Sequence, residues 1–268
     1  MEERQAPRTR GFVPPRDDDE RLLMRRVEEL CRAAESRGAP RYTGFLSDRE
    51  QDLALAAAHR ADCAYGRFWG GYPGAERAVF CLEPPDAWQE EPVAVLRLAF
   101  ALAAGAQPPA HRDCLGALLG LGVARRCLGD IVFDAADPRL AYVFVLEENA
   151  DFLVRTFCSA GRCAVRAERL DLLPEGAFRE PERTLRQATV PSLRADSVLA
   201  AMLHGSRGTA TELIEAGRVE ICHLPLRAGH EPVYAGDIFT VRGLGRFRLA
   251  EIGGKSKKDR IFISFYQY

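Results

Sequence analysis

From residue 93 onward the sequence alternates strand-like and helix-like runs in one order, and that order limits the folds open to it. Apolar runs of strand character occupy about 93–101, 129–134, 140–146 and 162–168, and helix-like runs occupy about 111–121 and 148–159. A β-α-β-β-α-β succession is that of the split βαβ, or ferredoxin-like, unit that RNA-recognition motifs also use. Asp137-Pro138 supplies the turn between its two central strands. An earlier apolar run at 77–82 is assigned to the same unit, which gives an expected middle domain over 77–173.

The residues before it read as a helical domain over 1–76. Asp19 to Arg37 sets Leu22, Leu23, Val27, Leu30 and Cys31 on one face, and Gly38-Ala39-Pro40 ends the run. Ser47-Asp-Arg-Glu50 has the capping-box pattern and opens a second helix, expected to reach about Ala64. Phe68-Trp-Gly-Gly-Tyr-Pro-Gly74 must turn sharply.

Residues 174–187 are polar and Pro-containing and are expected to be a linker to a third domain over 188–268. Asp196 is placed to cap a helix carrying Val198, Leu199, Met202 and Leu203, which Gly205 stops. Ser206 caps a second short helix with Ala210, Leu213 and Ile214, which Gly217 stops. Strands follow at about 218–222, 238–242, 246–252 and 261–266, so two short helices should pack on a small sheet. The expected class is therefore α+β throughout.

Charge sharpens the reading. The chain holds 37 Lys+Arg against 38 Asp+Glu, a net −1 that argues against indiscriminate coating of a polyanion. The distribution is uneven, because residues 191–268 carry 11 basic and 8 acidic side chains, and Arg242–Arg260 alone carries 7 against 2. All three lysines fall in that segment, at 255, 257 and 258. Arg242-Gly-Leu-Gly-Arg246-Phe-Arg248 alternates basic and apolar residues, and Lys255-Ser-Lys257-Lys258-Asp-Arg260 follows in a loop. Several cations in one place displace condensed counterions together, so phosphate is their natural partner.

Other motifs carry less. Gly254-Lys-Ser256 lacks the earlier glycine of a Walker A loop, having Leu249 there, and is followed by strand. His111-Arg112-Asp113 resembles a kinase catalytic loop without its asparagine, which would be Leu118. It reads better as a helix start, with His111 and Arg112 as candidates for a second RNA contact. Arg169-Leu-Asp171 has the tripeptide around the pseudouridine-synthase aspartate without the residues that follow it there. Eight cysteines and five histidines show no metal-ligand spacing, so no metal, cofactor or catalytic residue is expected. No signal-peptide pattern opens the chain and Val93–Ala106 is too short to span a bilayer, which points to reduced thiols in a cytoplasm.

Residues 188–268 resemble the alpha-L (S-four type) RNA-binding domain, through Leu193-Arg194-Ala-Asp196, Ser206-Arg207, Ala210, Leu213-Ile214, Gly217-Arg218-Val219 and Gly236-Asp-Ile238. The resemblance implies RNA-backbone contacts by Arg194, Ser206, Arg207 and Arg218, with Arg242, Arg246, Lys255, Lys257, Lys258 and Arg260 added by the basic segment. Three longer blocks, Phe68–Arg77, His111–Gly122 with Gly129-Asp-Ile131, and Val241–Phe247 with Gly254–Arg260, are similar to the bacterial YlmH family over roughly residues 45 to 268. Two positions depart from that family, which usually has asparagine in place of Cys222 and glycine in place of Asp259.

The resemblance implies a non-enzymatic, cytoplasmic RNA-binding protein that acts in ribosome-associated quality control. It would bind rRNA and tRNA on a large subunit still carrying peptidyl-tRNA and support tailing of the stalled chain. A monomer without cofactor or membrane contact is expected. The competing classes are an RNA-modifying enzyme of pseudouridine-synthase type, targeted by its alpha-L domain, and a cell-division scaffold.

Overall fold

A computed structural model describes residues 14–88, 90–103, 106–177 and 184–268. The chain is mixed α+β, with antiparallel sheets, and it forms two compact units, within residues 14–180 and within residues 181–268.

The first unit opens with α1 (Asp18–Arg37). Asp17 caps it by accepting from the Glu20 amide at 2.9 Å, and Gly38 ends it in the left-handed region at φ +57°. Met24, Val27, Leu30, Cys31 and Ala34 recur at helical spacing and are buried, whereas Leu22, expected on that face, lies 57% exposed. Then come β1 (Arg41–Leu46), α2 (Asp48–Arg60), β2 (Arg67–Trp69) and β3 (Ala78–Leu82), with sheet order β1-β3-β2. The N-terminal region is thus not only helical, and the 77–82 run completes its sheet instead of opening the middle domain. At α2 the Glu50 carboxylate reaches back to both the Ser47 amide and hydroxyl, each at 2.7 Å. The helix stops at Arg60, short of Ala64, because Asp62 turns to positive φ.

From residue 93 the elements are β4 (Val93–Ala101), α3 (His111–Gly120), β5 (Leu128–Phe133), β6 (Leu140–Leu146), α4 (Glu147–Thr156), β7 (Ser159–Ala160) and β8 (Cys163–Leu170). Their sheet runs β5-β6-β4-β8-β7, antiparallel throughout, with Leu96 opposite Val143 and Arg97 opposite Glu168. Side chains alternate across the pleat. Ala94, Leu96, Leu98 and Val143 pack with Leu118 of α3 and Leu153 of α4, forming one core. Val93, Val95, Tyr142 and Phe144 point the other way and pack with Phe45, Tyr72, Val79 and Cys81 of the N-terminal segment, forming a second.

That second core joins the two sheets into one unit. Gly71 at φ +95° lets the 68–74 loop fold onto Phe144, whose ring lies 2.3 Å from where a Cβ would sit. Tyr72 stacks on Phe144 with centroids 4.7 Å apart and donates to Asp130 Oδ2 at 2.9 Å. Asp130 also accepts from the Glu76 and Arg77 amides, and the Arg77 guanidinium donates to the carbonyls of Phe45 and Leu128. The clamp holds the loop that the sequence marks as a sharp turn.

In the second unit, β9 (Arg186–Val190) precedes α5 (Ala195–Met202) and α6 (Arg207–Glu215). Then follow β10 (Val219–Ile221), β11 (Leu224–Pro225), β12 (Ile238–Val241), β13 (Gly245–Lys255) and β14 (Ile261–Gln267), in sheet order β11-β10-β12-β13-β14-β9. The end of the expected linker is therefore strand, with Val190 opposite Ile261; residues 178–183 lie outside the described residues. Val198, Leu199 and Met202 of α5, Ala210, Leu213 and Ile214 of α6, and Phe239, Phe247, Leu249 and Phe265 of the sheet make one core. No helix among the described residues is long and apolar enough to cross a membrane.

Candidate nucleic-acid interface

Asp196 does not cap α5. Arg194 holds the N-cap position, and Asp196 sits in the first helical turn, 3% exposed. Its carboxylate accepts from Arg194 Nε and Nη2 at 3.2 and 2.8 Å, from Arg207 Nη2 at 2.9 Å and from the Ser197 hydroxyl at 3.2 Å. Burial would raise the Asp196 carboxyl, but the hydrogen bonds and charges of the two arginines win and hold it at about 2. Gly229 packs against this site so closely that a Cβ there would stand 2.9 Å from Asp196 Cβ. One buried anion thus orients two guanidinium groups that remain 41% and 54% exposed. Sequence pattern brings Arg194 and Arg207 together but offers the anion that fixes them only as a helix cap.

Ser206 does cap α6, accepting from the Thr209 amide at 3.0 Å, and it is exposed beside Arg207. The helix start leaves backbone N–H groups toward solvent, a setting that favours anions.

A second cationic group forms where β10 begins and β12 ends. Val219 pairs with Val241, which brings Arg218 beside the turn at Arg242, and Arg218 Nη2 donates to the Arg242 carbonyl at 2.7 Å. Gly243 and Gly245 both take positive φ in this turn. Arg246 stands over the Tyr268 ring, 5.0 Å from its centroid, in cation–π contact.

The lysines form a third group at the other end of β13. Lys257 and Lys258 are exposed in the β13–β14 hairpin, Lys255 pairs with Asp259 at 2.7 Å, and Arg260 donates to the Thr189 hydroxyl at 3.0 Å. A strand of 11 residues separates this hairpin from the Arg242 turn, roughly 30 Å at the usual rise. The basic segment that is continuous in sequence is therefore split between two ends of a sheet.

The two positions that depart from the resemblance noted in the sequence both fall on left-handed backbone, Cys222 at φ +47° and Asp259 at φ +56°. Asparagine and glycine tolerate that region better than cysteine and aspartate. Asp259→Gly should therefore raise stability by about 0.5–1 kcal/mol and release Lys255 from its ion pair. Thermal unfolding and RNA titration check this: a higher midpoint with tighter binding is expected.

In the first unit, His111 and Arg112 are exposed in the opening turn of α3, and Asp113 accepts from the Ala110 amide at 2.9 Å. Arg112 is 90% exposed. The face on which an RNA-recognition motif would stack bases is closed: Tyr142 and Phe144 are 2% and 0% exposed beneath the N-terminal segment. All eight cysteines are free, and burial pushes the Cys31 and Cys81 thiols up to about 12 and Cys114 to about 11, far from nucleophilic thiolates. No cluster of metal-ligating side chains occurs among the described residues.

Fold and site together define an α+β protein whose C-terminal helix–sheet unit carries three separate groups of cations. Residues 108–173 match the family model described as "Putative RNA-binding domain in YlmH". The chain is 34% identical over 249 residues to the Ribosome-associated protein quality control protein P2 of Bacillus subtilis (strain 168), across 92% of this chain and 95% of that one. It belongs to the YlmH family. It is also similar to the solved structure of the Cell division protein ylmH from Streptococcus pneumoniae, at 19% identity, covering 60% of this chain and 96% of that chain, with a TM-score of 0.46.

Proposed function

We propose that this chain is a non-enzymatic RNA-binding protein of the large ribosomal subunit, acting on rRNA and tRNA in ribosome-associated quality control. The observation that carries the reading is the Arg194–Asp196–Arg207 arrangement, with two preset, half-exposed guanidinium groups on a unit whose second helix starts at the exposed Ser206. Guanidinium groups held in place lose less entropy when they meet phosphate. The second unit is read as an alpha-L domain, for which its helix pair and antiparallel sheet give support. The name of the Bacillus relative supports the ribosomal setting.

The β5-β6-β4-β8 order of the first unit supports a ferredoxin-like reading of the segment that matches the family model. Its stacking face is occupied, so RNA contact by this segment falls to its helical side, where His111 and Arg112 project. Each basic group is a point on a structured RNA surface, since the Arg242 turn and the lysine hairpin stand about 30 Å apart.

Co-sedimentation of the full chain with purified large subunits, vacant or bearing peptidyl-tRNA, tests the proposal. Binding that is strongest with peptidyl-tRNA is the expected result. A chain that stays in the supernatant at low ionic strength overturns it, and so does a modified nucleotide found in rRNA or tRNA only when the protein is present.

A further inference from the structure

The first unit carries an open groove of about 1080 Å³ that the RNA reading does not use. Consecutive residues of β1, Arg41 to Leu46, line it. Among the described residues β1 is an edge strand, paired with β3 alone. Opposite it stands the segment after β3, pinned where the Tyr42 hydroxyl donates to the Glu90 carbonyl at 3.2 Å. That segment presents Trp88, which lines the groove and is 73% exposed, the second most exposed large hydrophobic side chain of the described residues.

The groove's charge is acidic, with five glutamates (50, 90, 91, 147 and 148) against three arginines (26, 41 and 126). Three of the glutamates are engaged, Glu50 by Ser47, Glu91 by Trp69 Nε1 and Glu147 by Arg169. Glu90 and Glu148 are exposed, and their side chains make no hydrogen bond or salt bridge among the described residues. A polyphosphate backbone would be repelled there. A cationic chain would be drawn in, and an exposed tryptophan is the best side chain on which to stack an arginine or lysine.

We propose that this groove docks an extended, arginine- or lysine-bearing peptide segment of a partner protein. Its main chain lies along the groove, one cation stacks on Trp88, and others face Glu90 and Glu148. The inference concerns a protein partner on the unit that carries few of the RNA-facing cations, so it stands or falls apart from the RNA reading.

A fluorescein-labelled nonapeptide alternating arginine and valine is the probe, with full-length protein and anisotropy as the readout. The exposed substitutions Glu90→Lys with Glu148→Lys, and separately Trp88→Ala, should each weaken peptide binding at least tenfold while leaving co-sedimentation with large subunits unchanged. Peptide affinity that is the same in all three proteins overturns the proposal. A labelled uridine nonamer that loses affinity in Trp88→Ala also overturns it, in favour of RNA at this groove.

Discussion

Replacing Glu20 with alanine is expected to destabilise the first unit by about 3–5 kcal/mol, the usual consequence of removing one member of a buried ion pair. Arg49 is 4% exposed, and its Nη2 lies 2.9 Å from Glu20 Oε2 and 2.8 Å from the Pro14 carbonyl. Arg16 adds its amide at 2.8 Å and its Nε at 3.0 Å. These bonds tie the start of α1 to the start of α2. Replacing both partners, Glu20→Leu with Arg49→Met, should recover most of the loss, because both charges of the pair are then gone. Denaturant titration of the three variants measures this, and a double variant as unstable as Glu20→Ala would contradict the account. Burial would raise the Glu20 carboxyl, yet the hydrogen bonds from Arg49 and Arg16 hold it at about 2 against an ordinary 4.5. The folded value lies below the unfolded one, so this contribution is complete above about pH 5 and is lost as the pH falls toward 2.

Replacing Asp196 with alanine should separate orientation from charge. If the carboxylate only neutralised cations, its removal would tighten binding to every RNA. If it orients Arg194 and Arg207, the two side chains must be ordered at each binding event, at about 1 kcal/mol apiece. Affinity for the large subunit is then expected to fall roughly thirtyfold, while binding to a polyuridine strand stays level or rises. The stability loss should be smaller than for Glu20, about 1–2 kcal/mol, because the two guanidinium groups are already half in water and stay solvated. Equal tightening toward both RNAs would show that Asp196 is a neutraliser and not a positioning residue. Its carboxyl follows the same pH sense as Glu20, with stabilisation present above the ordinary carboxylate range and fading toward pH 2.

The regular part of the fold is legible in the sequence because long apolar runs obey one period. The strands at 93–101 and 140–146 and the helix ending at Gly38 need little beyond side-chain spacing and cap residues. Short elements are not legible: Arg67–Trp69 and Leu224–Pro225 exist through the partners they pair with, which spacing cannot show. The run at 77–82 reads as strand, but its neighbour is set by contacts to Thr43 and Phe45, far away in sequence.

The site follows the same division. Arginines and lysines can be counted in a sequence, and Ser206 announces its cap. Asp196 looks like any acid at a helix start until Arg207, 11 residues later, folds onto it. Sequence continuity also misleads in the other direction. Arg242 and Lys258 look like members of one patch, and an extended strand carries them to opposite ends of the sheet.

The cations of the second unit are proposed to meet RNA phosphates. The most direct test is the salt dependence of RNA affinity, compared between the parent chain and a variant with Arg194, Arg207, Lys257 and Lys258 all changed to alanine. Removing one cation from a phosphate should flatten the slope of log affinity against log salt by about 0.7–0.9, so a difference of about 3 is predicted for the four together, with the fold intact by circular dichroism. Identical slopes would contradict the account.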